Sequence, residues 1–167
     1  MTVHALDNAG WGFDSNCFVC EPSNPGGLRI PFFHDDGADV VFADFTLAAT
    51  FSGAPSYVHG GVTMAVLDEA MAWAAIAVAR SFALTIRSTT TFHRAVHVGR
   101  PYRVEARVLG RTDRTIEAAA TVADGAGRPC AEATATFRPM GADQARAAMG
   151  VEVTGHDADL LRDGEPA

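Results

Sequence analysis

The chain has 167 residues, 48% of them hydrophobic, and carries 20 acidic against 13 basic groups for a formal charge of -7. That length supports one domain with a substantial core, and the negative balance argues against general nucleic-acid binding, which needs a positive surface. All the basic residues are Arg, and the three cysteines, an odd number, do not make a disulfide framework.

Residues 1–16 show little periodicity and are expected to form an irregular arm or a short helix. They lack the basic segment and apolar core of a signal peptide, so a cytoplasmic protein is expected. Cys17 and Cys20 have the spacing of half a zinc site. No second pair follows, Cys130 stands alone, and no preceding strand supplies a thioredoxin-like context. The two are read as small apolar residues packing a turn, and no metal or cofactor is expected. Pro25-Gly26-Gly27 is a turn.

Leu28–His34 and Ala38–Ala48 read as strands joined at Asp35-Asp36-Gly37, with Val41, Ala43, Phe45 and Leu47 on one face of the second. A loop broken by Gly53 and Pro55 delivers the chain to His59-Gly60-Gly61 and a long helix running from Val62 to Ala79. Ala, Met and Leu favour the helix, and neither Pro nor Gly interrupts it. Leu84–His93, Pro101–Gly110, Thr115–Asp124 and Pro129–Arg138 are four further strands, closely connected and therefore antiparallel neighbours. Simple alternation puts Leu84, Ile86, Ser88, Thr90 and Phe92 on one face of the first, with Thr85 on the other. Gly141–Met149 is expected to be a short helix, and Gly150–Ala167 a fraying tail. The order strand, strand, helix, four strands gives an α+β domain over 17–140, with an arm before it and 141–167 after it.

The helix is apolar nearly all round, which demands either a membrane or cover from the rest of the protein. Asp68 and Glu69 near its middle would each cost about 2.5–3.5 kcal/mol in a bilayer, so the covered reading is preferred and no membrane is expected. A carboxylate on a covered helix must be paired, hydrogen-bonded or protonated. Either it is braced locally or it works as a nucleophile or general base. Gly60 and Gly61 offer unpaired N–H groups and the positive end of the helix dipole, a setting that stabilises an anion. Gly60 precedes Asp68 by eight residues, about 12 Å along one helix axis, too far for both to act on one carbonyl. A catalytic reading therefore needs a second, antiparallel copy of the helix, and so a two-fold dimer.

The phrases Phe51-Ser52-Gly53-Ala54-Pro55, Val58-His59-Gly60-Gly61 and Leu67-Asp68-Glu69-Ala70-Met71-Ala72-Trp73-Ala74, with four strands after them, resemble the hotdog-fold acyl-CoA thioesterases. The likeness is to the branch that includes the phenylacetic-acid-pathway enzyme, and it covers about residues 17–138. It implies a long antiparallel sheet wrapped around one helix, and subunits paired with their helices antiparallel as a homodimer or a dimer of dimers. It implies that Asp68 attacks the thioester carbonyl or activates water, with Glu69 as the reserve carboxylate. The N–H of Gly60 from the partner subunit would form the oxyanion hole. His59 would help order that loop and the thioester, Gly61 stands beside Gly60 at the helix start, and Thr85 would help hold water near the acid. The implied substrates are acyl groups on coenzyme A, less often on acyl carrier protein. Gly53 departs from relatives that carry Asn there. An acyl tunnel is expected among Phe42, Phe45, Met71, Trp73 and the partner subunit. The rival readings are a silent acyl-CoA-binding protein and, on the same fold, an enoyl-CoA hydratase or dehydratase.

Overall fold

The computed structural model describes residues 2–154 and 159–161. Chain order runs β1 (Val3–Leu6), β2 (Phe32–Asp35), β3 (Val40–Thr46), a 3-10 turn (Ala49–Phe51), β4 (Ser52–Ala54), β5 (Tyr57–Val58) and α1 (Gly60–Ala77). Then follow β6 (Ala83–Phe92), β7 (Pro101–Arg111), β8 (Ile116–Asp124), β9 (Pro129–Pro139) and α2 (Ala142–Met149). Seven strands make one antiparallel sheet in the order β1-β2-β3-β7-β8-β9-β6, and β4 and β5 form a separate small ladder. This is the α+β architecture expected, a long sheet curled around a single central helix: the hotdog fold.

The alternation in the sequence is what lets the sheet close on α1. In β3, Val41, Ala43 and Phe45 point inward, and in β7 so do Tyr102, Val104 and Ala106. Ala118, Ala120, Ala133 and Ala135 line β8 and β9 with side chains small enough for the helix backbone to come close. From α1, Val66, Leu67, Ala70, Met71, Trp73 and Ala74 fill the concavity. Each of the larger side chains fully removed from water contributes about 1.5–3 kcal/mol. By length and composition α1 could also span a membrane, yet it packs against β3, β6, β7, β8 and β9 as a core helix.

Four local expectations change. Residues 1–16 are not merely an irregular arm, because Val3–Leu6 adds a strand to the sheet with His4 opposite His34. The edge of β2 would otherwise present unpaired backbone groups. The helix starts at Gly60 and ends at Ala77, since the cap falls on His59. Phe42 points away from the core, stacked on Phe33 at 5.6 Å with the Arg103 guanidinium 4.0 Å from its ring centre. It therefore leaves the expected acyl tunnel, while Phe45, Met71 and Trp73 are buried in the core. Finally, Val153 and Leu160 are buried with Phe82, Met140 and Ala145, and Phe82 N–H donates to the Leu160 carbonyl at 2.8 Å. That part of the tail packs; its remainder, 155–158 and 162–167, lies outside the described residues.

Candidate active site

His59 is the N-cap of α1, with φ -58° and ψ 134°, and its Nδ1 accepts from Gly61 N–H at 2.9 Å. Because Nδ1 is the acceptor, the proton of the neutral ring sits on Nε2. The N–H groups of Val62 and Thr63 donate to the His59 carbonyl at 2.9 and 3.1 Å. Among the described residues, Gly60 N–H has no hydrogen-bond partner, and it is exposed at the positive end of an 18-residue helix. Gly61 cannot carry a side chain cheaply: a Cβ there would lie 3.1 Å from His59 Nδ1. Gly53 is constrained from the other side, where a Cβ would meet His59 Cα and Cδ2 at 3.2 Å. The His59 loop thus occupies space that an Asn at position 53 would need.

Two turns further on, Asp68 accepts a hydrogen bond from Thr85 Oγ1 at 2.9 Å. The contact depends on an irregularity in β6. Thr85 pairs with Phe137 and Arg87 with Thr136, which leaves Ile86 as an extra, unpaired residue. A bulge of this kind reverses the alternation beyond it. Residues directly opposite in an antiparallel pair share a face, and Phe137, Ala135, Ala133 and Ala131 are all buried. Thr85 therefore lies on the helix side with Ser88, Thr90 and Phe92, not opposite them as plain alternation predicts, and Leu84 faces the other way. Burial pushes the Asp68 carboxyl above its ordinary value, and the Thr85 hydrogen bond acts in the opposite direction.

Glu69 turns elsewhere, as the roughly hundred-degree step between neighbours on a helix requires. Its Oε1 lies 3.3 Å from Cys17 Sγ. Burial first, then the neighbouring Cys17, push its carboxyl up to about 8. The Cys17 thiol is held down at about 5, chiefly by its bond with the Cys20 thiol, which is pushed up by the same bond. Cys17 and Cys20 do line a turn, as expected, but with an acid from α1 against them.

One side of α1 is left open. Gly60, Gly61 and Met64 are exposed and Ala65, Asp68 and Ala72 only partly covered, whereas Thr63, Val66, Leu67 and Ala70 are buried. The adjoining edge strand β6 exposes Leu84, Ile86 and Phe92, each about half accessible. Phe92 reaches over the helix start, 3.6 Å from where a Gly60 Cβ would be. The Oγ1 of Thr90, on the same face, is buried without a partner among the described residues. Sequence reasoning passed over Phe92; only the bulge puts it with Gly60. Of the arginines near strand ends, Arg103 is held by Asp44 and Glu105, and Arg94 by the Pro129 carbonyl.

Residues 56–131 match the thioesterase superfamily. A solved thioesterase superfamily protein is 23% identical, with a TM-score of 0.65, over 70% of this chain and 57% of its own. This chain thus spans little more than half the length of that neighbour. A phenylacetic acid degradation-related protein from Ralstonia eutropha is 24% identical over 71% of this chain and 90% of its own, with a TM-score of 0.62. A Streptococcus mutans protein bound to acetyl CoA is 18% identical over 62% and 82%, with a TM-score of 0.58. No curated protein matches the chain.

Proposed function

We propose, on the premise that this chain belongs to the thioesterase superfamily through residues 56–131, that it hydrolyses acyl-CoA thioesters. The products are a free acid and coenzyme A, and the setting is a cytoplasmic homodimer of the phenylacetic-acid-pathway type, free to pair again into a tetramer. The observation that carries this reading is the Asp68–Thr85 pair, set on the side of α1 that the chain itself leaves open. Gly61 and Ala65 flank that opening with little bulk, so a second α1 fits against the first. If the copies run antiparallel, Gly60 of the partner subunit stands across from Asp68, which removes the mismatch of about 12 Å within one helix. The superfamily match and the neighbour that binds acetyl CoA support a CoA thioester as substrate; an acyl carrier protein would present the same bond.

The chemistry follows from charge. As an oxygen nucleophile adds to the thioester carbonyl, negative charge grows on the carbonyl oxygen. A fixed N–H at a helix start, already freed of partners, stabilises that charge without reorganisation. Asp68 takes the proton of water as the water oxygen bonds to carbon, or it attacks carbon itself and water then cleaves the anhydride. In both routes the carbon–sulfur bond breaks and the thiolate leaves to be protonated. Thr85 orients the carboxylate, and a water bound between them would be aimed at the carbonyl. His59 acts by holding the loop, its Nδ1 being committed to Gly61.

Thiol release across short, medium, long and aryl acyl-CoAs tests the proposal. Wild type is expected to turn over at least one class, and Asp68→Asn to lose about 100-fold or more while keeping its fold. Saturable acyl-CoA binding without turnover would replace the reading with that of a silent binder. Hydration of enoyl-CoA in place of thiol release would replace it with a hydratase.

A further inference from the structure

We propose that Cys17, Cys20 and Glu69 bind one zinc-class divalent ion, which fastens the N-terminal loop to the helix turn that carries Asp68. The two sulfurs and a carboxylate oxygen of Glu69 all lie within 4.8 Å of one another. Tetrahedral zinc with Zn–S bonds of about 2.3 Å sets its sulfurs about 3.8 Å apart, so small rotations about the Cα–Cβ bonds complete the geometry.

Three further features favour a metal over simple packing. The sulfurs are already supplied with N–H donors, as metal-bound thiolates are: Cys17 Sγ accepts from Val19 N–H at 3.3 Å and Cys20 N–H at 3.4 Å, and Cys20 Sγ from Asn8 Nδ2 at 3.7 Å. The loop between them is rigidly mounted, because Leu28 and Ile30 N–H donate to the carbonyls of Phe18 and Val19 at 2.8 and 2.9 Å. Glu69, on an apolar helix, has no basic partner among the described residues; its contact is Cys17, 52 positions away. A cation between them removes the cost of that uncompensated acid. Two thiolates with one carboxylate select zinc over magnesium or calcium, which prefer all-oxygen sets. Three protein ligands leave a fourth position, and Cys20 lines a cavity of about 610 Å³ from which water can enter.

The test uses the full chain, tag-free, reduced and stripped with chelator, then titrated with cobalt(II). One equivalent should bring in a thiolate-to-cobalt charge-transfer band that zinc abolishes by displacement. Cys20→Ser should lose the band, and Cys130→Ser, away from the cluster, should keep it. Glu69→Gln retains both thiols and should bind at least about 10-fold more weakly. No stoichiometric band in the wild type would overturn the proposal without recourse to any variant. An unchanged band in Cys20→Ser, or unchanged affinity in Glu69→Gln, would also overturn it. Metal binding is read independently of thioester turnover, so it stands or fails apart from the role of Asp68.

Discussion

Thr85 reaches Asp68 because one extra residue, Ile86, reverses the facing of β6 just where the strand passes the helix. The hydroxyl holds the carboxylate in place at 2.9 Å and favours its charged form while burial disfavours it, so removing the hydroxyl leaves the acid less well aimed. Thr85→Val should lower kcat by roughly 10-fold, with Thr85→Ser restoring most of it, as expected where one hydrogen bond of about 1–1.5 kcal/mol is at stake. Equal kcat for Val and wild type would show that the hydroxyl only packs. At the other end of the site, Gly60→Pro is an unusually clean deletion. Pro is tolerated at the first helical position, and His59 at φ -58° and ψ 134° already has the extended backbone that precedes Pro. Loss of the N–H should cost about 100–1,000-fold in kcat with the circular dichroism spectrum unchanged; full activity would remove Gly60 from the mechanism.

Among the elements, α1 sets the fold, and its two ends are treated differently. Just past the C-terminal end the Arg111 guanidinium donates to the Ala79 carbonyl, so a cation stands near the negative end of the dipole. Arg111→Ala should lower stability by about 1 kcal/mol in a urea titration, and a change beyond about 3 kcal/mol would mean that the contact carries more than that pairing. Leu67→Ala, in the fully buried stripe, should cost about 2–5 kcal/mol. These elements were readable from the chain because α1 is a long run of helix formers unbroken by Pro or by Gly after Gly61, and β7 alternates cleanly before its register slips at Leu109: Tyr102, Val104 and Ala106 alternate as written and are buried as expected. β1 was missed because Val3–Leu6 is four residues long, too short for a pattern and defined only by the edge it covers. The bulge at Ile86 was missed for a related reason: Thr and Ser fit either face, so nothing local marks a slipped register. Glu69 could be singled out as a covered acid, but its partner Cys17 is contributed by a loop 52 residues away, and spacing along the chain carries no signal of that meeting.

On the proposed reading the molecule is one half of a dimer. Met64, Leu84, Ile86, Phe92 and Tyr57 are the large apolar side chains left exposed near the open side of α1 or along β6, and β6 is an edge strand. Large apolar side chains left open along an edge strand call for a covering partner. Ile86→Asp should therefore give a folded monomer by light scattering at concentrations where wild type is a dimer, with thioester hydrolysis lost in parallel. A monomer that keeps its activity would mean that the site is complete in one chain.

The most direct test of the shared site is the activity of an isolated mixed dimer, one chain carrying Asp68→Ala and the other Gly60→Pro. If each site takes its acid from one protomer and its N–H from the other, one of the two sites keeps both groups. The mixed dimer should then show half the wild-type rate although each parent homodimer is inactive. A mixed dimer no more active than its parents would contradict the account.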